Sequence, residues 1–138
     1  MNAYVDSSVI LRRVLGQPDA LPRWGEVTRG VTSELTRVEC LRTIDRLRVR
    51  FGFDAALVTE RFDVLDRELM GLALVDLERE VLHRAAQPLP QPLGTLDALH
   101  LASALLWRER NGPVEVFATH DAELGRAARA AGFSLLGV

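Results

Sequence analysis

Short apolar segments alternate with longer helical segments along the whole 138-residue chain, and this alternation restricts the possible folds more than any other feature. A segment of helical character follows each of the first four apolar segments. Strands that alternate with helices pair in parallel, and the helices cover both faces of the sheet. The sequence therefore predicts an α/β fold in one domain (residues 1–138), a three-layer sandwich around a mainly parallel central sheet of about five strands. The predicted strands are 2–6, 27–32, 71–77, 114–118 and 133–136.

The composition excludes several classes of protein. All 17 basic residues are arginine, so neither a P-loop lysine nor a Schiff-base lysine is available. A phospho-accepting receiver domain, which has a similar size and architecture, also needs a lysine beside its acidic pocket. The single cysteine, Cys40, excludes an intrachain disulfide and a zinc site built from cysteines. With no signal peptide at the N-terminus and no apolar run of about 18 residues, we expect a cytoplasmic protein without membrane contact.

Four acidic residues are predicted to lie at one edge of the sheet. Asp6 ends the first strand, and Asp121 lies just past the fourth. Glu39 falls in the second turn of the helix after the second strand, and Asp97 in the first turn of the helix after a proline-rich loop. Ligands of open parallel sheets bind beyond the carboxyl ends of the strands, where these acids would converge. Four such carboxylates cannot all stay ionised without cations, and their hard oxygen atoms suit Mg²⁺ or Mn²⁺.

Asp97 has two interpretations. It belongs to the segment LDALHLASALLW (96–107), whose other polar side chains are those of His100 and Ser103. A helix that is apolar on nearly every face is normally buried, and a carboxylate there is costly unless it is paired or metal-bound. Alternatively, Asp97 complements the positive end of the helix dipole and has no further role. His100 is expected either to hydrogen-bond Asp97 or to be an ordinary core histidine.

These segments resemble the motifs of the PIN-domain ribonucleases, in particular the VapC-type toxins of bacterial toxin–antitoxin pairs. YVDSSVIL resembles the opening strand of the family with its aspartate, here Asp6, and TSELTRVEC resembles the segment that carries its glutamate, here Glu39. GTLDALHLASAL is similar to the central helix of the family, with its aspartate at Asp97. ATHDAELGRAARAAGF resembles the closing motif, which places the aspartate at Asp121 and a hydroxyl residue at Thr119. The resemblance covers the whole chain.

The resemblance implies a metal-dependent endoribonuclease, the toxin of a toxin–antitoxin pair, in which water attacks an RNA phosphodiester and leaves 5′-phosphate and 3′-hydroxyl ends. Glu39 would complete the metal shell or position the attacking water. Ser7 and Thr119 would support the site with their hydroxyl groups, although Ser7 equally fits a role at the start of a helix. The residues assigned to catalysis are Asp6, Glu39, Asp97 and Asp121. Those assigned to Mg²⁺ or Mn²⁺ are Asp6, Asp97 and Asp121.

The resemblance also implies three partners: a cognate antitoxin protein, an RNA substrate such as tRNA or rRNA, and a second copy of the chain. Segment 37–50 carries five arginines and two acids, a net charge of +3. Arg37, Arg42 and Arg46 are therefore candidates for contact with RNA phosphates, the alternative being a solvated helix face. Two other functions stay open: a PIN-like RNA-processing nuclease that is not a toxin, and a catalytically silent module that binds RNA or a protein partner.

Overall fold

The computed structural model describes all residues from Met1 to Val138 and contains one five-stranded sheet with helices on both faces. The strands are β1 (Asn2–Val5), β2 (Arg29–Ser33), β3 (Leu72–Val75), β4 (Val116–Ala118) and β5 (Ser134–Leu136). The helices are α1 (Ser7–Val14), α2 (Leu35–Phe51), α3 (Ala55–Met70), α4 (Arg79–Ala85), α5 (Thr95–Asn111) and α6 (Ala122–Ala130), and a 3-10 turn covers Trp24–Glu26. The predicted α/β fold is confirmed, and the sheet is parallel throughout rather than mainly so.

The strand order β3-β2-β1-β4-β5 places β1 at the centre of the sheet. The chain builds one half of the sheet outward from β1 through β2 and β3, and then crosses to add β4 and β5 on the other side. Such a reversal opens a crevice at the carboxyl ends of the two central strands, where open α/β sheets bind their ligands. Asp6, the residue directly after β1, lies at this point.

Two apolar cores lie on opposite faces of the sheet, because successive residues of a strand point to opposite sides. Ala3 and Val5 of β1 belong to the core beneath α1, α2 and α3. Tyr4, between them, belongs to the other core, together with residues of α5 and α6 such as Leu101 and Leu124. The fold therefore has the predicted three layers, with β1 in contact with both cores.

Helix α5 is the most deeply buried helix of the domain. It buries seven residues, including His100 and Ser103, as its almost uniformly apolar sequence predicts. Its apolar character therefore serves packing within the domain. None of the helices combines the length and the apolar character needed to cross a lipid bilayer.

The third strand differs from the sequence prediction in both length and burial. Segment 71–77 was expected to be a buried strand because it is almost entirely apolar. The observed strand is shorter (Leu72–Val75), and all four of its residues are only partly buried. The reason is its position at the edge of the sheet, where β2 is its only strand neighbour.

Candidate active site

Asp6 is the most restrained acid of the site. It is 4% exposed, and it caps the N-terminus of α1. Its Oδ2 atom accepts hydrogen bonds from the hydroxyls of Ser8 at 2.6 Å and Thr119 at 2.9 Å. The Ser7 hydroxyl donates to Oδ1 over a longer 3.3 Å. A buried carboxylate needs such donors, so Ser8 supports Asp6 more closely than Ser7, the serine that the sequence analysis selected.

Thr119 connects Asp6 to Asp121. Its hydroxyl is fully buried, donates to Asp6, and accepts from the backbone N–H of Asp121 at 3.0 Å. The Asp121 Oδ1 atom in turn accepts from the backbone N–H groups of Glu123 and Leu124, both at 2.8 Å. Asp121 thus caps α6, and its carboxylate lies at the positive end of that helix.

Glu39 reaches the same cleft from the second turn of α2. Its Oε1 atom lies 2.6 Å from Nε2 of His100, and the same nitrogen lies 3.4 Å from Oδ1 of Asp6. The other ring nitrogen of His100 lies 2.8 Å from the hydroxyl of Tyr4. His100 is therefore a buried histidine that bonds Glu39 rather than Asp97. Sequence reasoning missed this contact because Glu39 and His100 are 61 residues apart.

Asp97 is half-buried in the first turn of α5, and no side-chain hydrogen bond caps this end of the helix. Its pKa is raised, first by burial and then by the charges of Asp121 and Asp6, with Glu39 adding to the effect and His100 opposing it. A helix dipole acting alone would lower this pKa, so burial and the neighbouring acids outweigh it. The structure therefore brings the other three predicted acids within electrostatic reach of Asp97.

The donor chemistry of this cluster fits a hard divalent cation. No three of its Asp, Glu, His or Cys side chains are arranged to hold a metal ion as they stand. One oxygen each of Glu39 and Asp121 is engaged in a hydrogen bond, and the second oxygen of each faces no protein donor within hydrogen-bond distance. Burial and then the charges of Asp121 and Asp6 raise the pKa of Asp97, and Mg²⁺ or Mn²⁺ binds favourably to carboxylates held this close to other acids.

Cys40 follows Glu39 in sequence but is fully buried. Burial, with the charges of Glu39 and Asp6, raises the pKa of its thiol to about 12. Because the thiolate is the nucleophilic form of cysteine, Cys40 is a core residue and takes no part in covalent chemistry at neutral pH.

The three candidate arginines of α2 have different surroundings. Arg42 and Arg46 line a groove of about 260 Å³ together with Glu39 and Leu96, at the border between α2 and the start of α5. Arg37 turns the other way, and its guanidinium donates to Asp66 of α3 at 2.7 Å. Only Arg42 and Arg46 therefore lie beside the acid cluster.

Two sequence comparisons with known proteins match most of the chain. The sequence profile of the PIN domain matches residues 3–130. Ribonuclease VapC47 of Mycobacterium tuberculosis (strain CDC 1551 / Oshkosh) is 31% identical over 137 residues, which cover 94% of this chain and 92% of that protein.

Two solved structures share the fold. A toxin–antitoxin complex from Klebsiella pneumoniae superposes with a TM-score of 0.66 at 15% identity, over 93% of each chain. The VapBC2 complex of Rickettsia felis, bound to a DNA fragment from its promoter, gives a TM-score of 0.66 at 13% identity over 99% of each chain. At these identities the likeness concerns the fold alone.

Replacing Asp97 by asparagine is expected to stabilise the metal-free protein. A carboxylate with a raised pKa in the folded state makes that state less stable at neutral pH, and the amide removes the charge while keeping the shape. Thermal unfolding in EDTA should give a higher Tm for Asp97→Asn than for the native protein. Asp63→Asn, at an exposed position of α3, is the matched control and should leave Tm nearly unchanged. A lower Tm for Asp97→Asn would contradict the repulsion inferred for this cluster.

Proposed function

Because this chain belongs to the PIN-domain family, and within it to the VapC ribonucleases, we propose that it is a metal-dependent endoribonuclease and the toxin of a toxin–antitoxin pair. The proposal is supported chiefly by four acids that converge at the carboxyl end of β1: Asp6, Glu39, Asp97 and Asp121. Burial, and then the charges of the other three acids, raise the pKa of Asp97. The carboxyl end of β1 is the switch point of the sheet, where α/β folds bind ligands.

Asp6, Asp97 and Asp121 are the residues that would hold a Mg²⁺ or Mn²⁺ ion. When bound, such an ion lowers the pKa of an attacking water and offsets the charge that develops on the phosphate. The carboxylates of Asp6 and Asp121 are fixed in advance by hydroxyl and backbone donors, so little reorganisation is needed during the reaction. Asp97 has no such donor at its helix end, and a cation would relieve the repulsion that it meets.

Glu39 is suited to orienting the water that attacks the phosphorus. One of its oxygens is held by His100, and its side chain is 23% exposed, which leaves the second oxygen accessible from the cleft. An oxygen in this position accepts a hydrogen bond from the water and directs its lone pair in line with the scissile bond. Cleavage would leave 5′-phosphate and 3′-hydroxyl ends.

Arg42 and Arg46 are proposed to contact the RNA backbone. Both flank Glu39 in the groove beside the acid cluster, so a strand whose phosphate enters the cluster would pass along them. The chain has no lysine, and arginine binds phosphate through two parallel N–H donors. Arg42 is also paired, with Asp45 at 3.3 Å, but Arg37 lies outside the groove in its ion pair with Asp66 and contributes less.

Replacing Arg42 or Arg46 by glutamine is expected to weaken RNA binding and to make it less dependent on salt. Each lost phosphate contact reduces the magnitude of the slope of log K against log salt by about 0.7 for a single strand. Fluorescence anisotropy with a single-stranded RNA over a range of KCl concentrations measures this slope. Arg37→Gln is the matched control, with a smaller change expected. Equal changes for all three variants would show that the arginines act only through net charge.

A cognate antitoxin is proposed as the protein partner. The two structural relatives described above are both toxin–antitoxin complexes, and a cytoplasmic ribonuclease that attacks tRNA or rRNA has to be kept inactive. Expression of the chain alone should arrest growth, and co-expression of an antitoxin encoded beside it should restore growth. Growth without arrest would favour an RNA-processing nuclease that is not a toxin.

The homodimer expected from the resemblance is tested by sedimentation equilibrium, where a monomer mass at micromolar concentration would exclude it.

The ribonuclease proposal is tested by cleavage of total RNA with Mg²⁺ or Mn²⁺ and with EDTA. Cleavage should require the metal and should fall by about 100-fold or more in Asp6→Asn, Asp97→Asn and Asp121→Asn, the scale seen when a group that stabilises developing charge is lost. Asp63→Asn, far from the cluster in sequence and exposed on α3, should cleave normally. Cleavage that persists in EDTA or in the three variants would rule out the proposal. RNA binding without any cleavage would favour the catalytically silent module.

A further inference from the structure

A chain of hydrogen-bonded side chains leads from the apolar core to the acid cluster. The hydroxyl of Tyr4 lies 2.8 Å from Nδ1 of His100, and Nε2 of His100 lies 2.6 Å from Oε1 of Glu39. Tyr4 is 0% exposed and His100 is 1% exposed. We propose that Tyr4 and His100 form a buried positioning pair that sets the orientation of Glu39. This inference rests on the proposed ribonuclease function.

The direction of the hydrogen bonds follows from the chemistry of the three groups. When His100 is neutral, the hydroxyl of Tyr4 can donate to Nδ1, 2.8 Å away. The ring proton of that imidazole is then on Nε2 and is donated to Glu39, 2.6 Å away. A doubly protonated imidazole, which the surrounding carboxylates favour, would also donate from Nε2 to Glu39, and its Nδ1–H would donate to the hydroxyl of Tyr4. The bond to Glu39 therefore has the same direction in both states of the ring.

The three residues belong to three different elements. Tyr4 lies on the central strand β1, His100 on α5 and Glu39 on α2. The Tyr4 ring stacks on Phe117 with ring centroids 5.0 Å apart, which restricts its rotation within the core. His100 thus restrains the flexible side chain of Glu39, and Tyr4 of the central strand restrains His100. A hydrogen bond of this kind reduces the freedom that Glu39 would lose on binding RNA.

His100 also separates two like charges. Its Nε2 atom is 2.6 Å from Glu39 and 3.4 Å from Oδ1 of Asp6, so one N–H group faces both carboxylates. A donor in this place lowers the repulsion between them and keeps Glu39 close to Asp6. Because Tyr4 and His100 are both enclosed by protein, neither can touch the RNA. Their contribution has to act through Glu39.

The first test compares two substitutions of His100. His100→Ala removes the donor, and kcat for RNA cleavage should fall by about 10- to 100-fold, the usual effect of losing a group that orients a ligand or catalytic residue. KM should change little, since the arginines are untouched. The Gln side chain in His100→Gln can place an amide N–H near the position of Nε2 and should recover most of kcat. Equal losses in the two variants would overturn the proposal.

A control separates positioning from simple loss of packing. Leu101 is the fully buried neighbour of His100 on α5 and belongs to the apolar core. Leu101→Ala should lower Tm at least as much as His100→Ala, yet keep kcat close to native below its unfolding temperature. A loss of kcat in Leu101→Ala equal to that in His100→Ala would mean that His100 serves only the packing of α5.

The second test does not depend on cleavage. Long-range ¹H–¹⁵N spectra of the metal-free protein should show a proton on Nε2 of His100, with a proton signal that moves in Glu39→Gln. Tyr4→Phe should leave that proton in place, because Glu39 still accepts it, and should shift the Nδ1 resonance, because the hydrogen bond with Tyr4 is lost. A neutral ring with its proton on Nδ1 would overturn the proposal. If the native protein cleaved no RNA, the ribonuclease function would fall, and these spectra would still decide whether the hydrogen-bond chain exists.

Discussion

Repulsion among four carboxylates at the end of β1 is the constraint on which the rest of the structure depends. A buried aspartate in this position is tolerated only where donors surround it. Asp6 receives them from Ser8 and Thr119. Three helix N-termini also contribute, since Asp6 caps α1, Asp121 caps α6, and Asp97 lies in the first turn of α5. The positive ends of these helices face the acids and partly compensate their charge.

The cluster remains short of positive charge after these contributions. Burial, and then the charges of Asp121 and Asp6, keep the pKa of Asp97 raised despite its place at a helix N-terminus. With no lysine in the chain and with the groove arginines beside the cluster rather than within it, a divalent cation is the group that we propose to neutralise the acids and an incoming phosphate together. Because the cluster has an excess of negative charge and the arginines lie beside it, we propose that the acids bind the metal ion and the arginines bind the RNA backbone.

Much of this could be predicted from the sequence. The alternation of apolar and helical segments gave the fold, and the position of Asp6 and Asp121 just after strands gave the edge on which the acids meet. The long-range contacts could not be predicted, because they depend on how elements distant in sequence pack. His100 meets Glu39 across 61 residues, and β3 is only partly buried because the strand order puts it at an edge. Helical spacing places Arg42 and Arg46 on the same face of α2 as Glu39 and Arg37 on the opposite face, but it could not show that Arg37 pairs with Asp66 of α3.

We propose that the four acids form a binding site for a divalent cation. A crystal structure of the protein soaked in MnCl₂, with anomalous data that locate manganese, would show whether they do. We expect an anomalous peak between Asp6, Asp97 and Asp121, which should be lost in Asp97→Asn crystals treated in the same way. A map with no peak in this cleft, or with manganese only at other surface acids, would rule out this site.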